Sequence, residues 1–263
     1  MSKTVPPILI ALSLAFGTAS AATIDLHWDS NPFNPQNPTD QITFHAHDPV
    51  SSVDNNGTVY PDRYHGIATN PNGVALADLV DGINGSIYTY CYELTQYFTG
   101  GSTVTYTLNN AGVTAATLDF LGAVNSVLGG ATPFAWLNPI SAYTTTPYNI
   151  PAVNVAAAIQ IGIWETRYDT AWDLTLGNFT ASGLDQPTSD ALGLFHTAMA
   201  TTGSLGAQYV VRLENDSKQD QITGFQRTSS VTVPEPGSLA LLGLGLAALG
   251  LRRGRRASPA DRT

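Results

Sequence analysis

The chain has 263 residues, of which 43% are hydrophobic and 12% are charged, and its formal net charge at pH 7 is −9. Residues 22–233 hold 18 acidic but only five basic side chains, so this part alone carries a net charge of −13. Such a surface repels the phosphates of nucleic acid, which excludes nucleic acid as a partner, and it also repels anionic lipid headgroups.

The N-terminus has the three parts of a secretory signal peptide. Lys3 supplies a positive charge, an apolar run extends from Val5 to Phe16, and small residues continue to Ala22. This pattern predicts a signal peptide over residues 1–21, with cleavage after Ala21. The apolar run falls short of a full membrane span, which disfavours an N-terminal anchor as the alternative.

Residues 22–85 are predicted to form an N-terminal β-rich part of the exported domain. Ile42–His47 alternates between apolar and polar residues, as a half-buried strand does. His45 and His47 would share one face of this strand, with Asp48 close by, but no further ligand follows at a recognisable spacing. We therefore expect neither a metal site nor a cofactor.

The next two predicted strands include the only cysteine of the chain. Ser86–Leu94 and Ser102–Leu108 are rich in β-branched and aromatic residues and are joined through two glycines, which predicts adjacent antiparallel strands. Alternation directs Cys91 and Glu93 to one face and Tyr90 and Tyr92 to the other. In an oxidising compartment Cys91 has no partner for an intramolecular disulfide. It is then a free thiol, half of an intermolecular disulfide, or bonded to an atom other than sulfur.

Helical periodicity begins at Ala111 and dominates the second half of the domain. The pattern predicts three helices and a late strand, at Ala111–Leu128, Pro151–Glu165, Ala191–Met199 and Gln208–Leu213, with Thr188, Ser189 and Asp190 as caps of the third helix. Strands and helices in this order predict an α+β fold. We expect an antiparallel β-sandwich or barrel-like sheet layer with a packed helical layer.

One polar residue of the second helix lies on its apolar stripe. Gln160 shares this face with residues three and four positions away, including Ile163 and Trp164. A buried amide without partners costs about 1–3 kcal/mol. We therefore expect Gln160 to have a defined partner, either as a hydrogen-bonded core residue or as a reactant.

The C-terminal segment 234–256 has the parts of a membrane sorting signal. A motif of Pro234, Glu235 and Pro236 precedes an apolar run and then four arginines: Arg252, Arg253, Arg255 and Arg256. As a helix the 14-residue run would be about 21 Å long, shorter than the hydrocarbon core of about 30 Å. The arginines would remain cytoplasmic by the positive-inside rule. The segment predicts a transient membrane helix, with a permanent single-pass anchor as the alternative.

The order of these parts resembles the PEP-CTERM sorting signal of Gram-negative bacteria. The resemblance implies that an exosortase-type membrane enzyme processes the chain near the Pro-Glu-Pro motif. It further implies transient anchoring in the inner membrane, followed by delivery to the cell surface or to an exopolysaccharide matrix such as a biofilm. Residues 223–233 would then be a linker and residues 257–263 a tail.

A second resemblance rests on two motifs, Tyr90-Cys91-Tyr92-Glu93 and Ile159–Glu165, in which Gln160 follows Cys91 by 69 positions. They look like the paired motifs of the Cys-Gln thioester domains of bacterial surface adhesins, over a core of residues 86–222. That family has an aromatic residue before the cysteine, an acidic residue two positions after it, and a helical Gln-x-Ala-Ile-Trp motif. Three positions depart from the pattern: Tyr92, Ile159 and Gly162.

The thioester resemblance implies a reaction and a function. Cys91 would attack the side-chain carbonyl of Gln160, expel ammonia and leave an internal thioester, shielded from water by Tyr90, Tyr92 and Trp164. Glu93 would orient the site or transfer a proton. An amine or hydroxyl of a protein or polysaccharide target would then take the acyl group once, which implies a covalent adhesin or matrix cross-linker rather than an enzyme with turnover.

Two other functions remain open from the sequence. The first is a non-covalent structural protein of an exopolysaccharide matrix, in which Cys91 is merely buried and Gln160 merely hydrogen-bonded. The second is a cysteine hydrolase or transglutaminase-like enzyme, in which His65 or His196 would activate Cys91. Activated cysteines favour helix N-termini, whereas Cys91 lies in a strand pattern without a hydrolase signature.

Overall fold

Nine strands and three α-helices make up the computed structural model, which describes residues 21–33, 40–79, 84–138 and 150–226. The strands are β1 Thr23–Phe33, β2 Ile42–His47, β3 Asp54–Val59, β4 Tyr64–Asn72, β5 Ser86–Cys91, β6 Thr103–Asn109, β7 Phe179–Ser182, β8 Val210–Glu214 and β9 Gln221–Gly224. The helices are α1 Ala115–Val127, α2 Ala152–Tyr168 and α3 Gln186–Met199.

Six of the strands close into an antiparallel barrel in the order β1-β4-β5-β9-β8-β6. Alternate residues of each strand point into it, as Ile24, Leu26 and Trp28 of β1 do, and all three are fully buried. Strands from residues 22–85 and from residues 86–222 therefore share one barrel, and residues 21–228 form one compact unit.

A second sheet, in the order β3-β2-β7, and the three helices complete the described part of the unit. Helix α2 packs against both other helices and against β5 and β7, so 14 of its 17 residues are buried. At Gly162 a Cβ atom would lie 2.1 Å from the ring of Phe120 on α1. The close approach of these two helices explains why glycine stands at this position.

The α+β prediction is confirmed, and the sheet layer includes a closed barrel. The predicted strand Ile42–His47 is β2, and the helices α1 and α2 lie where periodicity indicates. Pro151 precedes the first residue of α2, and Gly129 follows α1 with a φ of 67°, a backbone conformation that favours glycine.

The predicted pairing of the strand at Ser86 with the strand at Ser102 is wrong. Strand β5 lies between β4 and β9, while β6 lies between β1 and β8. The two glycines of the connection lead the chain to β1 instead, since Gly101 donates to the Trp28 carbonyl at 3.1 Å and the Trp28 amide donates to Ser102 at 2.9 Å. Turn residues alone do not reveal which neighbour a strand takes in a closed barrel.

The start of the third helix also differs from the sequence prediction. Helix α3 begins at Gln186, and its N-cap is Asp185, whose carboxylate accepts from the Thr188 amide at 2.9 Å. The predicted caps Thr188, Ser189 and Asp190 therefore lie inside the first turns. Asp185 supplies the side-chain acceptor that was predicted at Thr188, Ser189 and Asp190, but earlier in the chain.

The segments with predicted sorting roles fall largely or wholly outside the described residues. These are the signal peptide 1–21 apart from Ala21, most of the linker 223–233, the segment 234–256 with its Pro-Glu-Pro motif and arginines, and the tail 257–263. Among the described helices, none combines the length and the apolar character needed to cross a membrane.

Asp62, in the connection before β4, is a buried carboxylate that makes stability depend on pH. Its Oδ1 atom accepts from the Arg63 amide at 2.6 Å, Asp62 is 0% exposed, and desolvation raises the pKa of Asp62 to about 7. Because the folded state holds this proton more tightly than the unfolded state does, folding stability falls as pH rises from about 4 to about 7.

We expect Asp62→Asn to remove this pH dependence. The variant should gain a few kcal/mol over the wild type at pH 8 and little at pH 4, because only the ionised carboxylate is penalised by burial. Urea denaturation at both pH values measures the difference, with the exposed Asp216→Asn as the matched control. Equal gains at pH 4 and pH 8 would contradict the assignment.

Candidate functional site around Cys91

The side chain of Gln160 binds the backbone of Cys91. Helix α2 directs Gln160 at the last residue of β5, where its Oε1 accepts from the Cys91 amide at 2.8 Å. Its Nε2 donates to the Cys91 carbonyl, also at 2.8 Å. Gln160 is 0% exposed, and both of its amide functions are engaged by the Cys91 main chain. The structure thus brings the two residues together and fixes the position of the cysteine.

The thiol of Cys91 faces a different set of partners. Its Sγ donates to Oε1 of Gln219 at 2.9 Å, and Nε2 of Gln221 donates to Sγ at 3.5 Å. The Tyr64 hydroxyl is also hydrogen-bonded to the thiol. The carboxamides hydrogen-bonded to the sulfur are therefore those of Gln219 and Gln221.

The two additional glutamines lie at and just before the start of β9, which pairs with β5 in the barrel, and local sequence patterns did not predict this pairing. Gln221 is the cross-strand partner of Cys91 on β9, and Gln219 lies two residues before that strand begins. Nε2 of Gln219 donates to the Glu93 carbonyl at 2.7 Å, and Oε1 of Gln221 accepts from Thr89 at 2.9 Å. Both carboxamides are thereby oriented at the sulfur.

The site is apolar enough to suppress ionisation of the thiol. Cys91 is 1% exposed, and burial raises the pKa of its thiol to about 12, although hydrogen bonds from Gln221 and Tyr64 oppose the shift. The free thiol is therefore almost entirely protonated at neutral pH. A reaction at this sulfur needs a base or a proton acceptor held beside it.

Glu93 is the carboxyl group that interacts electrostatically with the thiol, and its charge contributes to the raised pKa of Cys91. It is 8% exposed, its Oε2 accepts from Thr95 at 3.0 Å, and burial followed by the nearby Asp220 raises the pKa of Glu93. Arg212 pairs with Asp220 at 2.5 Å. A buried carboxylate with a raised pKa is a stronger base than an exposed one.

The three residues predicted to shield the site are fully buried but lie in different places. The Tyr90 hydroxyl donates to the Trp136 carbonyl at 3.3 Å, and the Tyr92 hydroxyl accepts from the Thr114 amide at 2.8 Å. Both tyrosines thus join β5 to neighbouring segments. Trp164, in contrast, lines a cavity beside the thiol.

This cavity has a volume of about 430 Å³, and Cys91 itself is not among its described lining residues. Tyr64 and Gln219, which both hydrogen-bond the thiol, are part of its wall, and Tyr97, 81% exposed, also lines it. The described residues that line it are Pro32, Phe33, Phe44, Asn55, Thr58, Val59, Tyr64, Leu94, Gln96, Tyr97, Phe98, Gly100, Trp164 and Gln219. Gln219 therefore contacts both the cavity and the sulfur.

Neither histidine considered as a partner of Cys91 is hydrogen-bonded to it. His65 bonds Asp29 through Nδ1 at 2.6 Å and Ser86 through Nε2 at 2.8 Å, and His196 stacks on Trp172 with ring centroids 4.7 Å apart. The thiol thus lacks the hydrogen-bonded imidazole that activates the nucleophile of cysteine hydrolases.

The two histidines of β2 lie on a partly exposed sheet face. His47 Nδ1 bonds Asp54 at 2.8 Å, and His45 lies 3.9 Å from the same carboxylate oxygen. Within the described part of the chain, no group of three or more His, Cys, Asp and Glu side chains is arranged to hold a metal ion.

The C-terminal segment matches a known family of sorting signals. Residues 232–256 match the PEP-CTERM protein-sorting motif, which includes the Pro-Glu-Pro sequence and the four arginines. The chain is therefore an exported protein that is processed by an exosortase, is transiently anchored in the membrane through its C-terminus, and is sorted to the cell surface or matrix. Comparison with curated proteins and with solved structures finds no match.

Proposed function

We propose that this exported protein forms an internal thioester at Cys91 and uses it once to attach covalently to an amine or hydroxyl target, as an adhesin or matrix cross-linker. The observation that carries the proposal is the environment of the only cysteine. Gln160 hydrogen-bonds both the amide and the carbonyl of Cys91. The buried sulfur of Cys91 lies 2.9 Å from the carboxamide oxygen of Gln219.

The two glutamines support different roles in this proposal. The sequence motif pairs Cys91 with Gln160, but both amide functions of Gln160 are engaged by the Cys91 backbone. The carboxamide of Gln219 contacts the sulfur itself. We therefore propose Gln219 as the acyl donor and Gln160 as the residue that positions the cysteine, and acylation at Gln160 becomes the alternative outcome of the test.

The reaction balances without a cofactor. Sγ attacks the carbonyl carbon of Gln219, the carbon–nitrogen bond breaks, and ammonia leaves with the proton of the thiol. The present hydrogen bond points at the carboxamide oxygen, so the side chain must rotate to offer its carbon to the sulfur. Fixed neighbours favour such intramolecular attack, with effective molarities of up to about 10⁵–10⁸ M. Glu93 would accept the thiol proton and deliver it to the departing nitrogen.

The acyl bond would persist because Cys91 is only 1% exposed, which limits the access of water to the sulfur. A target amine or hydroxyl entering through the cavity would attack the carbonyl carbon, form an amide or ester with Gln219, and return the thiol to Cys91. No step regenerates the thioester, so each molecule reacts once.

Among the described residues no histidine is hydrogen-bonded to the thiol, which argues against a cysteine hydrolase. A non-covalent structural role in an exopolysaccharide matrix is the remaining alternative. It requires the same buried cysteine but no acyl bond. The two functions therefore differ in whether the protein has lost one ammonia.

Intact-mass spectrometry of the exported protein tests the proposal. We expect the protein to be lighter than its sequence by one ammonia, and methylamine to add one molecule while exposing one titratable thiol. Cys91→Ala should have the full mass expected for its sequence and take up no methylamine. Full mass and no adduct in the wild type would contradict the proposal and favour the non-covalent role.

A further inference from the structure

The described lining of the cavity beside Cys91 is uncharged, although the protein is strongly acidic. Its described lining residues include no Asp, Glu, Lys, Arg or His, although residues 22–233 carry a net charge of −13. Six lining residues are aromatic: Phe33, Phe44, Tyr64, Tyr97, Phe98 and Trp164. The polar remainder consists of amide and hydroxyl side chains. This lining suits a ligand that is neutral, has apolar faces and makes hydrogen bonds.

Two lining residues contain buried polar atoms without a hydrogen-bond partner among the described residues. These atoms are Oε1 of Gln96, an acceptor, and Nε1 of Trp164, a donor. Trp164 is 0% exposed, so its N–H is not satisfied by bulk solvent. Each such atom costs about 1–3 kcal/mol when it is left unpaired. Hydroxyl groups both donate and accept, and could satisfy both atoms.

A protonated lysine fits this cavity less well than a sugar does. Moving an ammonium group out of water is costly unless a carboxylate or aromatic faces compensate for the lost hydration, and the described lining offers no carboxylate. Aromatic rings and amides instead match the two surfaces of a pyranose, its C–H faces and its hydroxyl edge. The chemistry of the lining therefore distinguishes between the two classes of nucleophile that a thioester accepts.

We propose that this cavity binds a neutral oligosaccharide and presents one of its hydroxyl groups to the acyl bond. Binding itself depends only on the cavity, whereas transfer of the acyl group to the sugar rests on the proposed function. In the transfer step the sugar oxygen bonds to the Gln219 carbonyl carbon, the carbon–sulfur bond breaks, and the hydroxyl proton returns to Cys91. The product is an ester between the matrix sugar and the protein.

Tyr97 offers the clearest test of binding. It is 81% exposed at the cavity, so its removal leaves the core intact. In full-length Cys91→Ala, which forms no acyl bond, titration calorimetry with neutral hexasaccharides of glucose, galactose and mannose should detect saturable binding to at least one of them. In this background Tyr97→Ala and Gln96→Leu should each weaken binding about tenfold or more, while the exposed Leu176→Ala should not change it.

The outcomes separate this inference from the proposed function. Saturable binding without a methylamine adduct in the wild type would support the carbohydrate site and contradict the thioester. A methylamine adduct without binding of any hexasaccharide would support the thioester and overturn the carbohydrate site. Tighter binding of a lysine-containing hexapeptide than of the three sugars, or binding that Tyr97→Ala leaves unchanged, would also overturn it.

Discussion

Gln160→Leu is expected to destabilise the fold by at least about 2 kcal/mol. The substitution removes both hydrogen bonds to the Cys91 main chain and leaves a buried N–H and a buried C=O without partners, at about 1–3 kcal/mol each. Leucine nearly preserves the side-chain volume, so the effect reports on hydrogen bonding rather than on a cavity. The Cys91→Ala background isolates this effect, since it keeps the backbone groups but forms no acyl bond.

Urea denaturation of Cys91→Ala, with and without Gln160→Leu, measures the difference in the free energy of unfolding. Gln208→Leu, at an exposed position, is the matched control and should change stability by less than about 0.5 kcal/mol. If Gln160→Leu is as stable as its parent, Gln160 does not hold the backbone of Cys91 and the proposed positioning role fails.

Gln219→Ala is expected to abolish the acyl bond completely. The substitution removes the carboxamide whose oxygen lies 2.9 Å from Sγ, so no ammonia can be expelled there. The variant should have full mass, take up no methylamine and release one titratable thiol on denaturation. Gln221→Ala should still lose one ammonia, because the Gln221 carboxamide donates to Sγ through nitrogen at a longer distance of 3.5 Å.

The paired variants distinguish the possible acyl donors. Loss of the acyl bond in Gln221→Ala together with its retention in Gln219→Ala would identify Gln221 as the donor. Retention of the acyl bond in both variants would identify Gln160 as the acyl donor. Circular dichroism of each variant verifies that the domain is folded, since Gln219→Ala also removes a hydrogen bond to the Glu93 carbonyl.

The fold class and the burial of Gln160 follow from local sequence patterns, whereas the pairing of Gln160 with Cys91 was implied by the resemblance to Cys-Gln thioester domains. Alternation identifies β2 and β5, and three- and four-residue spacing identifies α1 and α2, because burial of one face imposes these periods. The spacing within α2 indicates that Gln160 is buried. Gly162 departs from the Gln-x-Ala-Ile-Trp pattern of the resemblance, and the structure gives the reason: the ring of Phe120 occupies the space that a Cβ would need.

The remainder of the candidate site could not be predicted from local patterns. Gln219 and Gln221 are 128 and 130 positions from Cys91, and in the sequence they end a polar stretch that resembles a loop. Their position depends on β9 pairing with β5, which only closure of the barrel determines. The same closure separates β5 from β6, although the two strands follow each other in the chain.

The lining of the cavity has the same long-range origin. Phe33 and Tyr64 come from β1 and β4, Phe44 from the second sheet, and Trp164 from α2. No periodicity relates these residues, since each belongs to its own element. These residues converge beside the thiol only in the folded chain. Their convergence forms the cavity that we propose as the binding site for the sugar.

Peptide mapping of the methylamine-treated exported protein tests the central claim most directly. The protein is digested and the modified glutamine is located by tandem mass spectrometry, with Cys91→Ala treated in parallel. We predict methylamine on Gln219 in the wild type and on no glutamine in the variant. An unmodified Gln219 in a wild-type protein of full mass would contradict the account.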